Sequence, residues 1–185
     1  TNAHWHSDVT FEKEPPDTTL LYSLEVPDEG GDTLFSNQHL AYEELDNGIK
    51  TSLKGRTAEH SNLGVVLLSG GKAKDAKTVD HPIFRTHPET GKKILYVNSM
   101  YTQKIIDMDK KESDEILNEI FKHQERLDFT CRFKWTENAV AIWDNRSVQH
   151  YAIADFYPNK GLGFERVMDR IACLLYTSDA ADERS

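Results

Sequence analysis

Phe129, Cys131, Phe133 and Trp135 alternate with Thr130, Arg132 and Lys134. A few residues later Ala139, Val140, Ala141, Ile142 and Trp143 follow one another without a polar break. A period of two predicts a half-buried strand, and a continuous apolar run predicts a central strand covered on both faces. Glu137 and Asn138 form the turn between them. Similar short pieces recur. Residues 18–26 are rich in Thr, Leu, Tyr and Val, residues 33–35 and 56–61 read as extended, and residues 81–88 and 93–98 flank Glu89-Thr90-Gly91 as a hairpin. Pro15-Pro16 and the Gly-rich stretch at 27–32 interrupt the series. Neither a strand–helix alternation nor an internal repeat is present. The chain is therefore predicted to be mainly β with inserted helices, a sandwich or jelly roll.

Two helices interrupt this pattern. Asn37 is placed to cap one over 38–53, with Leu40, Tyr42, Leu45 and Ile49 apolar and Gly55 at its end. The other spans 109–126, acidic first and basic last, with Ile116, Leu117, Ile120 and Phe121 facing inward. Residues 62–80 carry Gly64, Gly70 and Gly71 and show no period, so they read as a long loop, either a lid or a disordered segment. Beyond a loop with Pro158, Gly161 and Gly163, residues 164–172 form the last segment.

At 185 residues the chain has room for one domain with a core. A net charge of −9 argues against a nucleic-acid partner. No apolar run approaches the roughly 20 residues a membrane span needs, and no secretory signal is present, so the expected setting is cytoplasmic. Cys131 and Cys173 give no disulfide framework. Gly30-Gly31 lacks the following residues of a phosphate loop. The chain opens at Thr1 almost on a candidate site, so further sheet is expected upstream. Residues 173–183 resemble a translated sequencing-library transposase adapter. The expected division is a catalytic domain over 1–172 and an assembly artefact over 173–185.

The candidate site begins at Trp5-His6-Ser7-Asp8. In an extended segment over 5–11, favoured by Val9, Thr10 and Phe11, the imidazole and the carboxylate point to one face. Such a pair is either half of a metal site or a surface hydrogen-bonding pair. Among the histidines, at 4, 6, 39, 60, 81, 87, 123 and 150, His150 stands out because it follows the apolar run and a polar turn. His6, Asp8 and His150 would make a two-histidine, one-carboxylate face. That face leaves three positions open on Fe(II) and suits O2 activation. Arg166 and Arg170 lie four apart. They are either a guanidinium fork for a carboxylate or sulfonate, or surface residues balancing Glu165 and Asp169.

Several stretches, taken in order, resemble the taurine dioxygenase (TauD/TfdA) family of Fe(II)- and 2-oxoglutarate-dependent dioxygenases. They are Asn2-x-x-Trp5-His6-Ser7-Asp8-Val9-Thr10-Phe11, Pro15-Pro16, Gly30-Gly31-Asp32-Thr33-Leu34, Ala58-Glu59-His60, His81-Pro82-Ile83-Phe84-Arg85-Thr86-His87-Pro88, Trp143-Asp144-Asn145-Arg146 running on to His150-Tyr151-Ala152, and Arg166-Val167-Met168-Asp169-Arg170. The resemblance implies a double-stranded β-helix of the 2-oxoglutarate oxygenase type, incomplete at its N-terminus. It implies iron ligation by His6, Asp8 and His150, and binding of the 2-oxoglutarate carboxylate by Thr33 and Arg166. By the same resemblance Arg170 and Asn2 touch substrate, and Trp143 stands beside the iron. The expected reaction uses Fe(II), 2-oxoglutarate and O2 to hydroxylate a small anion, taurine or another alkyl sulfonate, releasing sulfite, succinate and CO2. An alkyl sulfate ester or a phenoxyacetate is the alternative within the family, and an inactive jelly-roll binding fragment the alternative outside it. Dimers and tetramers are common in the family, so a homo-oligomer is admissible. Two departures stand out: residues 159–163 read as a small insertion before Arg166, and the family's upstream pocket residues are absent.

Overall fold

The computed structural model describes residues 4–155 and 166–173. Its strands are β1 (Thr18–Glu25), β2 (Thr33–Asn37), β3 (Thr57–Ser61), β4 (Thr78–Pro82), β5 (Phe84–Thr86), β6 (Lys93–Leu95), β7 (Thr102–Ile105), β8 (Thr130–Phe133), β9 (Val140–Asp144), β10 (Val148–Ala152) and β11 (Val167–Cys173). Its α-helices are α1 (Gln38–Glu43), α2 (Asn47–Leu53), α3 (Leu63–Leu68) and α4 (Lys110–Gln124). All strand pairs are antiparallel. One sheet has the order β11-β1-β9, a second β10-β2-β8, a third β4-β3-β7, and β5-β6 is a hairpin. This is the mainly β jelly roll expected from the pattern of strands.

The first two sheets form the part that carries the candidate site, and the fully buried positions of β1 and β2 are small and polar. Thr19 and Ser23 of β1 and Thr33 and Ser36 of β2 are all buried. The aliphatic core lies elsewhere. Ala41, Leu45, Leu53, Ala58, Ile83, Leu95, Val97, Ile105, Leu117, Ile120 and Phe129 pack into one cluster, supplied by the layer that the chain inserts between β2 and β8. α4 presents Leu117 and Ile120 to it, at the spacing read from the sequence, and Asp109 caps the helix by accepting from the amides of Lys111 and Glu112.

Several expectations are corrected. The helix expected over 38–53 is two helices. Asn37 caps α1, but Asp46 accepts from the amides of Gly48 and Ile49 and starts α2 afresh. Residues 62–80 are not a structureless loop. They form α3, a 3-10 turn at Ala73–Asp75 and the start of β4, and the Asn62 side chain closes the excursion by accepting from Lys77 N at 2.8 Å. The apolar run at 139–143 is not covered on both faces: Val140 and Ile142 are 51% and 65% exposed. Leu20 sits in register between Ile142 and Ile171, so this sheet presents an apolar row outward. Cys131 is exposed rather than inward. β11 starts at Val167 and ends at Cys173, whose partner is Thr18. Residues 156–165 and 174–185 lie outside the described residues, and with them fall the expected small insertion and nearly all of the expected adapter stretch. No helix among the described residues is long and apolar enough to cross a membrane.

Ile120 is fully enclosed in the aliphatic cluster. Ile120→Ala is expected to lower the unfolding free energy by about 2–5 kcal/mol through lost burial and a residual cavity, read as a lower urea midpoint. A loss well below about 1 kcal/mol would place the core elsewhere.

Candidate metal centre

The segment expected to be a strand over 5–11 is not one. His6 makes a single antiparallel bridge with His150, donating to His150 O at 3.1 Å and accepting from His150 N at 2.8 Å. The chain then turns at Asp8, with Val9 at φ 59°. The bridge brings the two imidazoles to a ring separation of 4.2 Å, and the turn swings the carboxylate toward them. Asp8 Oδ1 lies 3.8 Å from His6 Nε2 and 3.9 Å from His150 Nε2. The candidate ligand atoms of the three residues lie within 4.8 Å of one another, and all three residues are wholly or mostly buried.

The electrostatics suit lone-pair donation. The ring of His6 meets the His4 carbonyl at 2.8 Å through Nδ1. A carbonyl only accepts, so Nδ1 carries the proton and the Nε2 lone pair faces Asp8. Burial pulls the His6 imidazole below its ordinary range, the His4 carbonyl and Asp8 opposing. Burial, reinforced by His6, pulls His150 down to about 3. Both rings are thus neutral at neutral pH. Two neutral imidazoles and a carboxylate are the donor set of a divalent first-row metal. Donors at about 2.1 Å from one ion and at right angles would sit about 3 Å apart, so the three would close by about 1–2 Å around an ion.

What orients Asp8 was not read from the sequence. Its amide donates to Asn145 Oδ1 at 2.7 Å, and Asn145 Nδ2 donates to Asp8 O at 3.0 Å and to Pro16 O at 2.8 Å. Thr19 Oγ1 donates to Asp8 Oδ2 at 2.9 Å. Asn145 is held in turn by the corner after β9. Burial alone would raise Asp144, but hydrogen bonds from Arg146 and His87 hold it at about 2. Arg146 also reaches Glu89. On the far side of the turn, Thr10 meets His60 Nδ1 at 2.9 Å and accepts from Asn98 Nδ2 at 3.2 Å. Motif residues of the sequence, His60, His87 and Asn145, are thus supports of the Asp8 turn.

The remaining expected site residues fall as follows. Trp143 is buried with its ring 4.8 Å from that of His150. Arg170 NH1 donates to Asp8 Oδ1 at 2.9 Å, and its side chain is half exposed. Thr33, on β2 next to β10, accepts from Arg166 NH2 at 3.2 Å. Burial pulls the Arg166 guanidinium below its usual range, with Asp32 opposing. Thr33 also accepts from Trp135 Nε1 at 3.0 Å. The alternation 129–135 marks Trp135 as inward, but only the register that pairs Thr33 with Phe133 reveals what it reaches. Asn2 lies outside the described residues.

Residues 1–171 match the family described as "Taurine catabolism dioxygenase TauD, TfdA family", and the chain belongs to that family. An alpha-ketoglutarate-dependent sulfonate dioxygenase of Saccharomyces cerevisiae is 38% identical over 157 residues, which is 82% of this chain and 38% of that protein. A taurine dioxygenase from Burkholderia xenovorans, known by crystal structure, superposes with a TM-score of 0.80 at 34% identity, covering 91% of this chain and 56% of that one. AAD-2, solved in complex with Mn(II) and N-oxalylglycine, gives a TM-score of 0.81 at 28% identity, covering 93% of this chain and 68% of that one. The chain thus spans well under half the length of the yeast relative.

His60 supplies a pH test of the supports. Burial, helped by His81 and Arg85, lowers it to about 3 from 6.5, so the folded state resists protonation that the unfolded chain accepts. Its contribution is complete above about pH 6.5 and is lost as pH falls toward 3, at up to roughly 1.4 kcal/mol per pH unit. His60→Gln is expected to flatten the acid limb of the stability curve, measured by urea unfolding between pH 7.5 and 4. An unchanged slope would remove His60 from that account.

Proposed function

We propose that this chain is the catalytic part of an Fe(II)- and 2-oxoglutarate-dependent dioxygenase acting on a small organic anion, with an alkyl sulfonate such as taurine as the first candidate. The convergence of His6, Asp8 and His150 from distant parts of the chain carries this reading. Fe(II), with 2-oxoglutarate (alpha-ketoglutarate) and O2, supplies hydroxylation of a C–H bond with release of succinate and CO2. At the carbon bearing sulfur, that hydroxylation yields an aldehyde and sulfite.

In this reading the chain's residues bind and orient. His6 Nε2, one Asp8 oxygen and His150 Nε2 would hold the ion. Thr19 fixes the second Asp8 oxygen, which keeps the carboxylate plane in place. Arg166 and Thr33 bind the far carboxylate of 2-oxoglutarate, and the partly desolvated guanidinium strengthens that pairing. Trp143 walls the site and excludes water beside His150. Arg170 donates to Asp8 and offers its guanidinium to the substrate anion. Asn2 is assigned to the substrate side with it. The exposed free thiol of Cys131 accords with a cytoplasmic setting.

Full-length protein loaded anaerobically with Fe(II) is expected to release succinate on O2 addition in a substrate-dependent way. A panel of taurine, an alkyl sulfate and a phenoxyacetate then ranks the anions. Asp8→Ala should abolish turnover and stoichiometric metal binding, and retained turnover would refute the three-residue site. Arg170→Ala should raise the KM for the preferred anion at least about tenfold, as loss of a charge-assisted pair does, with little change for 2-oxoglutarate. Equal effects on both would remove Arg170 from the substrate side.

A further inference from the structure

Two donors converge on the single side-chain oxygen of Thr33: the indole Nε1–H of Trp135 at 3.0 Å and a guanidinium N–H of Arg166 at 3.2 Å. Thr33 is 1% exposed and Trp135 4% exposed, so the indole contact is shielded from solvent, while the Arg166 contact is partly buried. A hydroxyl has one proton and two lone pairs. Both lone pairs are engaged from the protein side, and the proton is therefore directed away from Trp135 and Arg166. Arg166 also lies over the indole, 5.6 Å from its centre, so one tryptophan contacts both groups. Its own position is set by the end of β8, where Phe133 pairs with Thr33 and packs edge-on against Trp135 at 4.8 Å.

We infer that Trp135 is a positioning residue of the cosubstrate subsite, which by its indole N–H turns the Thr33 hydroxyl into a fixed donor for the distal carboxylate of 2-oxoglutarate. A free threonine hydroxyl rotates among staggered positions and can present either a lone pair or its proton. A lone pair aimed at a carboxylate repels it. With the indole N–H on one lone pair and Arg166 on the other, one orientation remains, and a threonine beside an arginine becomes a second donor next to a cation. The arrangement is preorganised, because the donors are already in place before the anion arrives. This inference rests on the assignment of Thr33 and Arg166 to 2-oxoglutarate, and its test separates the two.

Full-length protein loaded with Mn(II) is titrated with 2-oxoglutarate by calorimetry, and Mn(II) affinity is measured separately. The forms compared are wild type, Thr33→Val, Trp135→Phe and the double variant. Thr33→Val should weaken 2-oxoglutarate binding about tenfold, and Trp135→Phe about three- to tenfold, with Mn(II) affinity unchanged in both. The double variant should bind no more weakly than Thr33→Val alone, because without the hydroxyl there is nothing left to orient. If Trp135→Phe fails to fold, benzothienylalanine at position 135 keeps the bicyclic shape and removes only the N–H, and the same loss is expected. Pyruvate, which lacks the distal carboxylate, should bind the Trp135 variants as it binds wild type. A Trp135 variant with wild-type affinity for 2-oxoglutarate, alongside a weakened Thr33→Val, overturns the inference. So does an additive double variant, or an equal loss for pyruvate. A Thr33→Val protein that binds normally overturns instead the assignment of Thr33 to the cosubstrate.

Discussion

The turn that brings Asp8 to the candidate site depends on one side-chain amide. Asn145 accepts from the backbone of residue 8 and donates to the carbonyls of residues 8 and 16, so it joins the start of the chain to the corner after β9. A primary amide has an acceptor on one side and two donors on the other, and here all three are used. Replace it with a carboxylate and two buried carbonyls face a negative charge. Replace it with an aliphatic side chain and the same groups are left without partners, at a cost of about 1–3 kcal/mol each. The His6–His150 bridge sets where the two rings lie, while Asn145 determines whether Asp8 turns toward them.

The same logic explains the polar lining of the jelly roll. The fully buried positions of β1 and β2 are Thr and Ser, each of whose hydroxyls finds a hydrogen-bond partner, while Phe35 packs against Trp143 beside His150. Thr19 holds Asp8, Ser23 and Ser36 bond backbone carbonyls, and Thr33 gathers Trp135 and Arg166. The neutral histidines follow from the same burial: a ring that cannot keep a proton in the fold has a lone pair to give.

Much of this was legible in the sequence, and the failures have a common cause. Strong local signals held: β1, the β5–β6 hairpin, α4 and the existence of β8 all come from periodicity and turn chemistry within a few residues, although the inward alternation of β8 failed at Cys131. His6, Asp8 and His150 could be picked out as chemistry-bearing residues. Where the reading failed, a second local signal or a distant partner decided the outcome. Asp46 reads equally well as a helix residue or as a cap, and its bonds to Gly48 and Ile49 settle it. Val9 and its neighbours favour a strand, yet the tie to Asn145 bends the chain at Asp8. The supporting roles of Asn145, His60 and Trp135 depend on register between strands far apart in sequence. Spacing along the chain contains no trace of that register.

The location of the aliphatic core has a consequence for how the molecule moves. Leucine, isoleucine and valine are concentrated in the layer inserted between β2 and β8, while the strands around His6, Asp8 and His150 are joined by hydrogen bonds among hydroxyls, amides and a few charges. Opening free energies are not uniform through a fold and are lowest where apolar contacts are few. Amides of α4 and β3 should therefore be the slowest to exchange with solvent. Those of the turn at residues 8–11 and of β11 should exchange through smaller, more frequent openings. The protein is thus expected to be stiff in the layer that anchors it and most yielding around His6, Asp8 and His150.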